Sequence, residues 1–150
     1  MLFKQLQIKK EIIDQIESIL NKYKFEDVSF NKCTKNGFQT DNIVNLFSKN
    51  ILKKILPIND FYKKIFWIHY IKYNKNGYQT EHNHSKTEKY SFILYLNDSD
   101  GDTIFKEPIN KRVIPKLGKL IFFNSCVLHR AEMSNEGKKI LVGAVEKNVN

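Results

Sequence analysis

Arginine is nearly absent from this chain: only Arg112 and Arg130 stand among 25 basic residues, in 150 residues carrying a net charge of +9. Planar bidentate recognition of phosphates and guanine edges favours Arg over Lys. The lysines are also spread along the whole sequence, so the charge reads as a solvated basic surface, and a dedicated nucleic-acid site is not expected. Cysteine is equally scarce. Cys33 and Cys126 in a chain of this length exclude a disulfide framework and favour reduced thiols, with no catalytic role expected of either. No apolar run approaches the roughly 18 to 20 residues that a membrane-spanning helix needs. Met1 to Glu11 lacks both a long apolar segment and a small-residue cleavage site, so no secretory signal is expected and a cytoplasmic location is the default. Repeats, low-complexity tracts and Pro/Gly/Ser-rich linkers are missing too, which predicts a single domain over residues 1–150. A domain of this size buries roughly 70% of the surface of its unfolded chain and supports one core.

What is present changes period once. Ile8, Ile12, Ile13, Ile16, Ile19 and Leu20 recur at helical spacing with charged residues between them, predicting an amphipathic helix. A weaker helical stretch runs from an Asp41 cap through Ile43, Val44, Phe47, Ile51, Leu52 and Ile55 to a stop near Pro57. From Ile65 onward the pattern is short β-branched and aromatic runs. These are Ile65 to Tyr73, Tyr78 to His82, Tyr90 to Leu96, Thr103 to Phe105, Arg112 to Ile114, Lys119 to Phe123, Val127 to Arg130 and Lys139 to Val145. Turn residues separate them, the first group at Asn74 to Gly77. The pattern predicts a mainly β chain with N-terminal helices: a helical buttress over 1–60 and, over 61–150, an antiparallel jelly roll or double-stranded β-helix of cupin-like form. The open mouth of such a barrel suits a small ligand.

All four histidines lie in the strand-rich part. His82 and His84 end a predicted strand, and residues i and i+2 of an extended chain share a face, so both imidazoles can reach one point. His129 follows the Gly118 to Phe123 segment as a third. Two close ligands and one distant one build a three-ligand metal site that leaves coordination positions open. His69, beside Trp67, lacks such a companion and reads as a packing or hydrogen-bonding residue.

The ordered segments resemble the Fe(II)/2-oxoglutarate-dependent oxygenases, prolyl 4-hydroxylase-like members in particular. Tyr73-Asn-Lys-Asn-Gly77-Tyr-Gln-Thr-Glu-His82-Asn-His84 is similar to their first metal-ligand region, where an aromatic and a glycine turn precede a His-x-Asp/Glu pair. Ser91-Phe-Ile-Leu-Tyr95-Leu96-Asn97 and Gly101-Asp-Thr103-Ile-Phe105 resemble two following strands, and Val113-Ile-Pro115-Lys-Leu-Gly118-Lys-Leu-Ile-Phe122-Phe-Asn-Ser125 resembles the approach to the distal His. The match spans residues 65–147. It implies His82 and His129 as iron ligands, and Lys139, ten positions past His129, as the cation for the C5 carboxylate of 2-oxoglutarate in preference to Lys138. It further implies Tyr95 as a hydroxyl partner of that carboxylate, Tyr73 beside the cofactor, and Leu141 and Gly143 on the Lys139 face, with the glycine leaving room for the ligand.

The departure is His84, which stands where most of that family supplies Asp or Glu. A phage-type group of 2-oxoglutarate oxygenases resembles this chain in carrying His-x-His there. Glu88 completes a His-x-His-x-x-x-Glu pattern like the first cupin motif, but Gly118 precedes His129 by eleven positions, too far for the second. The resemblance implies an Fe(II)- and 2-oxoglutarate-dependent oxygenase that hydroxylates a C–H bond with O₂ and releases succinate, on a small or macromolecular substrate. The alternatives are a cupin-like metalloenzyme that does without 2-oxoglutarate and a non-catalytic ligand-binding barrel.

Overall fold

Apolar alternation from residue 65 onward does form antiparallel strands, and two mostly polar segments upstream join them. In the computed structural model, which describes residues 1–149, the order is β1 (Phe3–Gln7), α1 (Lys10–Asn21), β2 (Thr34–Gln39), α2 (Lys49–Ile55), β3 (Ile65–His82), β4 (Glu88–Tyr95), β5 (Thr103–Phe105), β6 (Lys111–Val113), β7 (Lys119–Asn124), β8 (His129–Ser134) and β9 (Lys138–Lys147). The strands form one curled antiparallel sheet ordered β1-β7-β4-β9-β3-β8-β5-β6, with β2 on β3. This is the expected mainly β, double-stranded β-helix class. No helix among the described residues is long and apolar enough to cross a membrane.

Each central strand is covered on both faces, so its side chains alternate between two apolar clusters. On β4, Phe92 and Leu94 pack with Ile13, Ile16 and Leu20 of α1 and with Leu52 and Ile55 of α2. Ile93 and Tyr95 point the other way, into the barrel, with Ile71, Tyr73, Ile121, Phe123 and Ile140. The helices thus seal one face and leave the curl of the sheet to enclose the site.

Three sequence-based expectations change. The second helix does not start at Asp41. Asn42 Oδ1 accepts from the Val44 and Ile68 backbone N–H groups at 3.0 Å each, tying that segment to β3. A single 3-10 turn, Val44–Leu46, follows, and α2 begins after Ser48, whose hydroxyl accepts from Ile51 N at 3.2 Å. The turn at Asn74 to Gly77 does not end a strand either. β3 runs through it and changes partner: Ile65 to Tyr73 pair with β9, whereas Gly77 to His82 pair with β8, with register shifts inside each pairing, at Ile65/Trp67 and between Gly77 and His82. Asn76 takes φ 66°, and a Cβ on Gly77 would lie 2.7 Å from the Asn36 carbonyl oxygen, so this bend requires glycine. Residues 1–60 are also not purely helical, because β1 pairs with β7 and β2 with β3.

Candidate metal centre

The partner exchange of β3 sets the site. It brings His82, the last residue of β3, directly opposite His129, the first of β8. Their rings lie 4.3 Å apart between centroids. The chain stays close past the strand end, since His84 N donates to Ser125 O at 2.9 Å and Asn83 Nδ2 to Cys126 O at 3.3 Å. His84 is held 4.8 Å from His82 and 5.8 Å from His129, ring to ring. One nitrogen from each of the three lies within 4.8 Å of the others.

Two of the three rings are locked by their own backbone. His82 Nδ1 donates to Thr80 O at 2.7 Å and His129 Nδ1 to Val127 O at 3.0 Å, which leaves both Nε2 lone pairs for a ligand. Burial, followed by the neighbouring His82, pulls His129 down to about 3 and His84 to about 4, so both stay neutral well into acid. Neutral imidazoles with a free nitrogen are the donor form a divalent metal takes. Metal–nitrogen bonds of about 2.1 Å need the three nitrogens drawn closer than their present spacing of up to 4.8 Å. The donor set therefore fits a bound first-row metal.

A cavity of about 330 Å³ opens over the triad, walled by Trp67, His69, Gln79, Ile93, Phe123 and Cys33 among others. His69 lies in this wall, but its Nδ1 donates to Thr40 O at 2.9 Å and its ring packs 4.6 Å from Trp67. It is not one of the three converging histidines. Cys33 lies beside the triad, and contact with His82 lowers its thiol pKa despite the opposing effect of burial. Nothing in the sequence pattern links Cys33 to the histidines, because β2 itself carries no strong strand signal.

The two candidate cations face opposite ways. Lys139 lies on the helix side of β9, where its Nζ meets Glu17 of α1 at 3.3 Å. Lys138 pairs with Tyr73 across β3 and β9 and points into the barrel, 1% exposed. Its Nζ lies 4.4 Å over the Tyr73 ring and donates to Gly101 O at 2.7 Å. Burial pulls it down to about 8, against the opposing pull of Asp102 and Asp100. Tyr95 is buried on the same interior face and its hydroxyl meets Thr103 Oγ1 at 2.5 Å, while the buried Tyr73 hydroxyl has no partner among the described residues. The room expected beside Gly143 is filled by the Phe92 ring.

Glu88 does not join the converging donors. It is 7% exposed, accepts from Trp67 Nε1 at 3.0 Å through Oε1, and turns Oε2 toward His84 Nδ1 at 3.6 Å.

No protein-family model and no curated protein matches the sequence. Solved structures match in fold along almost the whole chain. A Pseudomonas putida prolyl-4-hydroxylase superposes with TM-score 0.70 at 14% identity, over 98% of this chain and 93% of its own. The likeness is one of fold. A viral collagen prolyl hydroxylase from Paramecium Bursaria Chlorella virus-1, solved as a 2-oxoglutarate complex, gives 0.70 at 16% identity, over 98% of this chain and 96% of its own. HygX from Streptomyces hygroscopicus, solved with nickel, 2-oxoglutarate and hygromycin B, gives 0.73 at 10% identity, over 96% and 82%.

Proposed function

We propose that this chain is an Fe(II)- and 2-oxoglutarate-dependent oxygenase that hydroxylates a C–H bond and converts 2-oxoglutarate to succinate. The observation that carries the reading is the convergence of His82, His84 and His129 on one cavity, with the buried cation Lys138 on the same interior face of the sheet. The likeness in fold to structures solved with 2-oxoglutarate or with a metal supports it.

Fe(II), held by the three histidines, would supply O₂ activation and the oxidising power for C–H cleavage. The chain's own residues supply positioning and charge. Thr80 and Val127 carbonyls hold two imidazoles with Nε2 toward the centre. Lys138 offers an ammonium to the remote carboxylate of the cosubstrate, a dicarboxylate whose charge needs a partner inside the barrel. The Tyr73 hydroxyl, lacking a partner among the described residues, would donate to the same carboxylate, with Tyr95 beside it. The apolar wall of Ile93 and Phe123 restricts water near the metal position. Incubating Fe(II)-loaded protein with 2-oxoglutarate and O₂ should yield succinate even without a prime substrate, at a slow uncoupled rate. No succinate, with or without candidate substrates, would overturn the proposal.

A further inference from the structure

Each histidine of a metal centre needs a group behind it to fix its tautomer and aim its ligating nitrogen. For His82 and His129 the device is the same, an Nδ1–H bond to the carbonyl two residues earlier, Thr80 and Val127. Among the described residues His84 has no such bond, and its Nδ1 instead faces Glu88 Oε2 at 3.6 Å.

Everything around Glu88 fixes it there. Its backbone N–H donates to His84 O at 3.2 Å, closing a tight loop that sets the two side chains four residues apart on one side. Trp67 Nε1 donates to Oε1 at 3.0 Å and pins the plane of the carboxylate. Oε2 is buried and has no hydrogen-bond partner among the described residues. A buried carboxylate oxygen in this state calls for a donor, and the facing imidazole supplies one after a small ring rotation.

Taking the three histidines as the metal centre proposed above, we infer that Glu88 is its positioning residue. It accepts the His84 Nδ1–H and aims Nε2 at the metal. The arrangement returns a negative charge to the centre from one imidazole away. In a site built from three neutral ligands, the carboxylate behind His84 strengthens that ring as a donor without occupying a coordination position.

The test uses Co(II) alone, followed by its visible absorption, with neither Fe(II) nor 2-oxoglutarate present. Glu88→Gln keeps the size of the side chain and an oxygen for Trp67, but offers His84 no charged acceptor. The variant should bind Co(II) 10- to 100-fold more weakly than the parent. Equal affinity would overturn the inference while leaving the three-histidine centre intact. Failure of the parent itself to bind Co(II) would remove the metal centre and the inference together. Should the variant not fold, proton NMR of the Co(II)-loaded parent decides instead. Three paramagnetically shifted imidazole N–H signals are expected, with that of His84 slow to exchange because Glu88 covers it. A His84 signal lost to rapid solvent exchange would overturn the assignment.

Discussion

Two adjacent lysines open β9, and a difference of one residue decides which of them faces the barrel interior. Strand side chains alternate, so Lys138 and Lys139 lie on opposite faces. Replacing Lys138 by Met keeps the volume and removes the charge. Removing one partner of a buried charge pair should weaken 2-oxoglutarate binding on the order of 100-fold, measured calorimetrically on Ni(II)-loaded protein. Lys139→Met should leave that affinity unchanged and cost about 1 kcal/mol of stability through its half-buried pair with Glu17. The pH dependence has a definite sign. With Lys138 drawn down to about 8, the ammonium proposed to receive the dicarboxylate is lost as pH rises through that value. Affinity for 2-oxoglutarate should therefore fall above about pH 8, approaching tenfold per unit. Spacing alone made the three histidines legible, since two lie two residues apart and the third approaches across a strand pair. It could not choose between the lysines, because the parity of β9 is set by the turn before it, where Gly137 takes φ 80°. Nor does it say that Tyr73 pairs with Lys138.

At the scale of elements, β3 carries both the fold and the site. Its first half belongs with β9 and its second with β8, and the bend between them decides whether His82 arrives opposite His129. Gly77→Val would drive a side chain into the Asn36 and Asn74 carbonyl oxygens, 2.7 and 2.9 Å from the new Cβ. The strand must shift, costing roughly 1–3 kcal/mol and also weakening metal binding five residues downstream. An ordinary packing fault would affect stability alone, so thermal unfolding and Co(II) titration together separate the two. Ser48→Ala, by contrast, should cost about 1 kcal/mol as a lost cap and leave metal binding unchanged. The long apolar strands could be read because both their faces are buried. β1 (FKQLQ) and β2 (TKNGFQ) could not, because they are short and mostly polar, and the two apolar residues of β1, Phe3 and Leu6, are too few to show a period. The Asn-Lys-Asn-Gly sequence in β3 looks like a strand end, since bend and turn use the same residues.

Across the whole molecule, the histidine cluster couples folding to protons and to metal. His129 is held near 3 and His84 near 4, mainly by burial, whereas both would titrate near 6.5 in the unfolded chain. Between about pH 6.5 and 4 the unfolded chain therefore takes up protons that the folded chain refuses. Stability falls as pH drops through this window, by at most ~1.4 kcal/mol per pH unit for each histidine. A metal bound to the folded form acts in the opposite direction. At a free concentration 100 times its Kd it adds about 2.7 kcal/mol, or roughly 5–10 °C in Tm for a chain of this size. Protons barely compete at these two rings, but at His82 burial is outweighed by the contacts with Cys33 and the Thr80 carbonyl and the pKa is raised, so that gain should be largest near pH 7.5 and shrink toward pH 5. Thermal scans with and without Co(II) between pH 5 and 7.5 should then show a separation that chelator abolishes. His129→Ala should lose the metal-induced rise entirely and, despite the cavity it leaves, lose stability less steeply with acid than the parent. A parent Tm that ignores Co(II) at every pH would mean that the three rings converge for packing alone.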